Sequence, residues 1–224
     1  LDGDKAEQLV RFRHNNDGTT YSSSYGTQDT GRMRTQRDFI SALLKQTLKL
    51  SNISKIGELI DIANNNIETN IPLDTIKDYI PYAVEFSTDN LKTATLPGEP
   101  KEMNGVWLYL TDDDEAQAMV AQYFFDCPTE DEVTNEMPTL QILNGTSDFS
   151  NLEEVVNKYK EKGYNILKVG NTESKVKQTK ITNRTKQASE KVTEVKNVIK
   201  ETAKTETGKD TEDVDFTITI GQDY

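Results

Sequence analysis

Residues 139–171 read TLQILNGTSDFSNLEEVVNKYKEKGYNILKVGN. The opening run TLQILN is short, apolar and stopped at Asn144-Gly145, which is how a strand meets a turn. Leu152, Val155, Val156 and Tyr159 then recur at the spacing that lines one side of a helix. YNILKVGNT resumes as a strand. Further on, KQTKITNRT (177–185) reads as a strand and QASEKVTEVKNVIKETA (187–203) as a helix. DVDFTITIGQDY (213–224) closes as a strand in which Val214, Phe216, Ile218 and Ile220 alternate. The order β-α-β-β-α-β predicts a small α+β domain of ferredoxin-like type over residues 138–224. It contains no nucleophile–base pair, phosphate-binding glycine loop or metal-ligand cluster. GNTESK reads as a turn, and the Lys/Glu-rich helix after Arg184 as a solvated face.

Toward the N-terminus, DCPTEDEVTNEMP (126–138) is acidic, holds two prolines and has no periodicity. It reads as a linker over 126–137. Before it, EAQAMVAQYFF (115–125) reads as a helix capped by the run Asp112–Asp114. LKTATLPG (91–98) and VWLYLTD (106–112) read as paired strands around the turn-rich GEPKEMNG. Earlier helices are expected around Ile53–Ala63 and from Pro72 to Pro81. Residues 3–9 (GDKAEQL) read as the end of a helix entering a short strand, Leu9–His14. That strand turns Arg11 and Arg13 to one face and Val10 and Phe12 to the other. HNNDGTTYSSSYGTQDTG (14–31) has the composition of a surface loop. From Arg32, RMRTQRDFISALLKQTLKL predicts a helix with Phe39, Ile40, Leu43, Leu44 and Leu48 on its apolar face.

The 224 residues carry a formal charge of -12, with 34% hydrophobic residues and a mean hydropathy of -0.71. Such a chain has a modest core and lacks the basic balance of a general nucleic-acid or anionic-membrane binder. No run approaches the roughly 18 apolar residues of a membrane span. One cysteine and one histidine exclude an internal disulfide and a multi-histidine zinc site. The chain opens at Leu1 and is expected to be a fragment, so the lack of a targeting segment carries no information on location.

The charge is segregated. Residues 1–50 balance at +2, 51–137 at -14 and 138–224 at 0. Arg11, Arg13, Arg32, Arg34 and Arg37 open the chain, and Arg184 is the one other arginine. Arginine replaces lysine where a planar, bidentate grip on phosphate or carboxylate matters. Surface ion pairing with Asp17, Asp29 and Asp38 is the plainer reading of these arginines. The sharper reading is convergence of the strand pair, the loop and the helix start, with Arg32 and Gln36 one turn apart, on one anionic ligand such as a diphosphate.

LDGDKAEQLVRFRHNNDG and DTGRMRTQRDFISALLKQTL resemble the R-x-R strand and the Asp-x-x-Arg-x-x-x-Gln helix start of the LytR–CpsA–Psr family of bacterial cell-envelope proteins. ILNGT, GYNILKVGN and TITIGQDY resemble the LytR-type C-terminal domain often appended to it. The resemblance implies that residues 1–125 are the C-terminal portion of an α/β/α sheet domain. It implies a membrane-anchored phosphotransferase on the outer face of the bacterial membrane. Such an enzyme moves an anionic glycopolymer, teichoic acid or capsule, from a polyprenyl-pyrophosphate carrier to peptidoglycan. Arg11 and Arg13 match the pair gripping the pyrophosphate, and Arg32 the arginine stabilising charge on the transferring phosphate. Gln36 matches the glutamine beside it, and Asp29 the acid orienting that arginine. Thr35 stands where many members have arginine, leaving open whether Arg34 or Arg37 substitutes. The family's Mg2+, its ligands, the membrane anchor and further arginines belong upstream of Leu1, so this piece is expected to be inactive alone. The other reading is a non-enzymatic, wall-associated protein that docks anionic polymer or acts as an attenuator-type regulator. Direct contact with nucleic acid is not expected.

Overall fold

The computed structural model describes residues 1–83, 85, 87–133, 137–185, 189–209 and 214–224. Contacts group the chain into two units, Leu1–Ala94 and Thr95–Tyr224. The chain mixes helix and sheet, as an α/β portion followed by a small α+β domain requires.

The regular elements described in the first unit are all helices. Helix α1 (Gly3–Arg11) is capped by Asp2, whose carboxylate accepts from Lys5 N at 2.9 Å. Helix α2 spans Gln28–Thr47 and packs against α1. A 3-10 turn (Leu50–Lys55) leads into α3 (Ile56–Asn66), followed by α4 (Leu73–Asp78) and α5 (Ile80–Ala83). The expected strand Leu9–His14 is therefore not formed. Asp2 as N-cap and the Glu7–Arg11 pair four residues apart favour a helix. Among the described residues of this unit, residue 14 finds one bridge, to Thr20. An isolated strand leaves its amides and carbonyls unpaired, whereas a helix closes its own. Helix α2 also begins four residues before the expected Arg32, which places Arg32 in its second turn.

In the second unit, β1 (Gly98–Met103) and β2 (Val106–Thr111) form an antiparallel hairpin. Its turn is Asn104-Gly105, both with positive φ (54° and 78°), the conformation a two-residue hairpin turn demands. GEPKEM is thus a strand, and residues 91–97, read as one, are not. Asp112 caps α6 (Asp113–Phe125), accepting from Glu115 N at 3.0 Å.

A five-stranded sheet follows, in the order β4-β3-β7-β5-β6. Its strands are β3 (Thr139–Asn144), β4 (Asn165–Asn171), β5 (Lys180–Asn183), β6 (Lys204–Thr207) and β7 (Phe216–Ile220), with α7 (Phe149–Glu161) and α8 (Val192–Asn197) between them. Strand β3 runs parallel to β4 and β7, β5 parallel to β6, and β5 antiparallel to β7. The expected element order holds with β6 added. A ferredoxin-like sheet does not result, because β3 lies beside β4 and β7 and both pairings are parallel. Of the helix expected over 187–203, the structure forms α8 after a 3-10 turn at Ser189–Lys191, and residues 186–188 lie outside the described residues.

One sheet face carries Leu140, Ile142, Ile166, Ile181, Phe216, Ile218 and Ile220, buried with Leu152, Val155, Val156 and Tyr159 of α7. Helix α6 packs on β4. The acidic stretch after α6 is more than a linker. Asp126 turns the chain in the left-handed region (φ 51°), Cys127 joins the core, and Lys160 Nζ donates to the carbonyls of Phe125 and Asp126. Its composition concealed this, because one buried cysteine supplies the anchor. Helix α6, expected with the N-terminal domain, groups with this second unit. Residues 134–136 of that stretch lie outside the described residues.

Candidate anion-binding site

Arg13, Asp29 and Arg32 come together. Asp29 Oδ1 forms ion pairs with Arg32 Nη2 at 2.6 Å and with Arg13 Nη2 at 3.0 Å. Arg32 follows Asp29 by three residues on α2, so the helix itself brings those two into register. Arg13 arrives from the loop, and Thr20 holds it. The Thr20 hydroxyl donates to the Arg13 carbonyl and accepts from Gln28 N at 2.9 Å. The loop is further pinned by Phe12 set edge-on to Tyr21, with ring centroids 5.1 Å apart, and by Tyr21 OH donating to the Phe12 carbonyl at 2.9 Å. Gly31 makes this possible: a Cβ there would lie 2.2 Å from the Tyr21 ring.

Two guanidinium groups beside one another repel, with about 4 kcal/mol at 4 Å and an effective dielectric near 20. Asp29 supplies the counter-charge, and it occupies the first turn of α2, where the helix dipole favours a negative group. Arg32 is three-quarters covered, and its Nε is buried with no hydrogen-bond partner among the described residues. A buried unmet donor costs about 1–3 kcal/mol.

The other expected residues stand apart. Arg11 turns to Glu7 at 2.7 Å and is exposed on α1. The strand that was to align it with Arg13 is a helix. Gln36 Nε2 donates to the Val10 carbonyl at 2.9 Å, so it fastens the end of α1 to α2. Arg34 lies 4.5 Å over the Tyr25 ring and reaches the Ser24 and Tyr25 carbonyls. Two residues along a helix, it points away from Arg32. Thr35 is buried, 3.2 Å from Tyr25 OH, which also donates to Asp38 at 2.7 Å. Tyr21, Tyr25 and Gly31 are the contributors that sequence reading missed, since their spacing to α2 is visible only once the loop folds back. Tyr21, Tyr25, Leu9, Phe39 and Ala42 line an open, largely apolar hollow of about 580 Å³.

The magnesium implied by the resemblance does not fit these residues. Asp29 is engaged by two cations, and no group of three metal-ligating side chains forms among the described residues. No helix there is long and apolar enough to cross a membrane.

Two family models match the chain: the LytR_cpsA_psr family over residues 1–124 and the LytR cell envelope-related transcriptional attenuator over 138–224. The chain belongs to the LytR_cpsA_psr family. Among curated proteins, it is 32% identical over 116 residues to the polyisoprenyl-teichoic acid–peptidoglycan teichoic acid transferase TagU of Oceanobacillus iheyensis, covering 51% of this chain and 33% of that one. The TagU protein of Bacillus subtilis is 28% identical over 85 residues, 38% of this chain and 28% of its own. Biofilm regulatory protein A of Streptococcus mutans is 32% identical over 79 residues, 34% of this chain and 19% of its own. The chain thus spans a third or less of the length of these relatives. No solved structure matches it at a significant level.

Proposed function

We propose that this chain carries part of the pyrophosphate-handling site of an extracytoplasmic phosphotransferase that attaches anionic glycopolymers, teichoic acid or capsule, to peptidoglycan from a polyprenyl-pyrophosphate carrier. The observation that carries the reading is the pair Arg13–Arg32 on one Asp29 oxygen, with Arg32 Nε uncommitted. The names of the TagU relatives give, for those proteins, transfer of teichoic acid from a polyisoprenyl-linked form to peptidoglycan. In such a transfer, an acceptor hydroxyl forms a new bond to the phosphorus next to the sugar. The bond from that phosphorus to the bridging oxygen breaks, the lipid phosphate leaves with the electron pair, and the hydroxyl proton is released to water. Most of the catalysis is positioning and stabilisation of charge on phosphate oxygens. Arg32, fixed on a helix, is placed to stabilise the transferring group, and Arg13 to hold the leaving phosphate. The apolar hollow beside Tyr21 and Tyr25 offers a place for the start of the prenyl chain.

We assign Asp29 the role of orienting both guanidinium groups and leave Arg11 outside the grip, since it faces Glu7. Residues 1–224 by themselves bind the carrier's pyrophosphate without completing the transfer. The test is binding of a short-chain polyprenyl-pyrophosphate glycolipid by calorimetry, beside a transfer assay on the same chain. Each charge-assisted hydrogen bond contributes about 1.5–3 kcal/mol, so Arg32→Ala is expected to weaken binding roughly tenfold to a hundredfold. Binding indifferent to alanine at both Arg13 and Arg32 overturns the reading, and measurable transfer by the chain overturns its inactivity. In a longer protein that does transfer, Arg32→Ala is to lower turnover beyond the loss of binding. A polymer-docking regulator is to lose affinity alone.

A further inference from the structure

The sequence holds two Asn-Gly pairs, Asn104-Gly105 and Asn144-Gly145. A glycine after asparagine leaves its amide nitrogen without a side chain to shield it, so the asparagine carboxamide is open to attack from within the chain. The two pairs stand in opposite settings.

Asn144-Gly145, at the end of β3, is closed on every side. Asn144 is 5% exposed; its Oδ1 accepts from Thr146 N at 2.9 Å and from the Thr146 hydroxyl at 2.7 Å, and its Nδ2 donates to the Asp148 carbonyl at 3.1 Å. Gly145 is buried, and its N–H donates to the Ile220 carbonyl at 2.9 Å. Electrophile and nucleophile are both held, so any reaction between them waits for a local opening.

Asn104-Gly105 is the turn between β1 and β2. Both residues are exposed, and a Cβ at Gly105 would meet nothing within 4 Å. Neither the Asn104 carboxamide nor the Gly105 N–H has a hydrogen-bond partner among the described residues. Positive φ at both positions marks the type I′ form. In that form the Gly105 nitrogen lies across the Cα–C bond from Asn104 Cβ. Turning over the one peptide plane between the two residues gives type II′, the other favoured hairpin turn. That turn keeps φ positive at residue 104 and swings the Gly105 nitrogen alongside Cβ. Glycine accepts position 105 in both forms, so the strand pairs from Gly98–Thr111 to Met103–Val106 stay closed during the change.

We propose that Asn104 is a self-modifying site, at which the asparagine converts to isoaspartate and aspartate with water as co-reactant. The Gly105 nitrogen gives its proton to water and bonds to Asn104 Cγ. The Cγ–Nδ2 bond breaks, and that nitrogen leaves with the electron pair, protonated as ammonia. Water then opens the five-membered imide. Opening at the main-chain carbonyl leaves isoaspartate, whose backbone runs through Cβ and is longer by one carbon; opening at Cγ leaves aspartate. Either product adds a negative charge to the stretch 51–137, which already balances at -14. A two-residue turn matches the twist of its strands, so the longer backbone of isoaspartate dislocates β1 from its register on β2.

The test ages the 224-residue chain in mildly alkaline buffer, native and in urea, and cleaves it after glutamate. Asn104 then falls in peptide 103–115 and Asn144 in peptide 137–153. Mass and elution follow deamidation, and a methyltransferase specific for isoaspartate, given a labelled methyl donor, reports that product in each peptide. In the native chain Asn104 is expected to convert more than tenfold faster than Asn144, a factor that an opening cost of about 1.4 kcal/mol already supplies. In urea the two rates are to converge, which assigns the difference to the fold and not to the dipeptide. Thr146→Val is to speed Asn144 alone, and Asn104→Gln to suppress conversion in peptide 103–115. Amide exchange in the isoaspartate form is to rise over 98–111 and stay unchanged in β3, β4 and β7. Equal native rates at the two asparagines overturn the proposal. So does an Asn104 that converts in urea but persists in the native chain, or a product that is aspartate alone. Unchanged exchange over 98–111 overturns the loss of register.

Discussion

At the scale of residues, one carboxylate oxygen serving two arginines makes Asp29 a tethered competitor for any anion that enters. Asp29→Asn removes that competition. Inorganic pyrophosphate is expected to bind the variant roughly threefold to tenfold more tightly, about 0.7–1.4 kcal/mol, with a steeper salt dependence. Titration calorimetry at two ionic strengths checks both. The core thiol makes a different prediction. Withdrawal from water pushes Cys127 from an ordinary value near 9.0 up to about 11, outweighing the nearby positive charge of Lys160. Its folded pKa lies above its unfolded one, so its contribution to stability is complete below pH 9 and is lost as pH rises toward 11. Alkylation at pH 8 should accordingly track unfolding and stay slow in the native chain. Asp29 and Arg32 were legible as a pair because their spacing is local. The stacking of Arg34 on Tyr25 was not, since a loop must close before the two meet, and Arg11 went astray with the strand it was assigned to.

At the scale of elements, burial decides what could be read. Strand β7 alternates apolar and polar residues, while β3 and β4 are short apolar runs, and the existence of all three and of the helix between the first two was plain. Strand β6 is KTET and β1 is GEPKEM; neither carries an apolar alternation, and no periodicity marks an edge or a solvated strand. The same logic gives magnitudes. Ile142 is fully buried, and Ile142→Ala is expected to cost about 2–5 kcal/mol, measured as a shift in urea midpoint. The hairpin behaves otherwise. Trp107 on β2 is 69% exposed, and as the one tryptophan it reports on that strand alone. Its emission should be that of a water-exposed indole, fully accessible to acrylamide, and unfolding should change it little.

At the scale of the whole molecule, the buried apolar cluster draws on α6, α7, α8 and the five-stranded sheet, while α1 and α2 bury few side chains entirely. Hydrogen exchange is therefore expected to be slowest in β3, β4 and β7 and fast through α1–α5, since protection follows buried contacts. Equal protection in the two units contradicts this distribution. Two units were legible from composition, and the two family models stop and start on either side of the acidic stretch, at 124 and 138. Contacts group the chain differently, dividing it at Ala94 ahead of the hairpin, because a helix joins whatever its buried face touches. The strand order has a consequence in time. Strand β7 comes last along the chain yet sits in the middle of the sheet, paired with β3 across 76 residues (Leu140 with Phe216) and with β5 on its other side. Until β7 has been made, β3 and β5 have nothing between them. Folding of this unit must then wait for its last strand, and its long loop closure sets a slow pace.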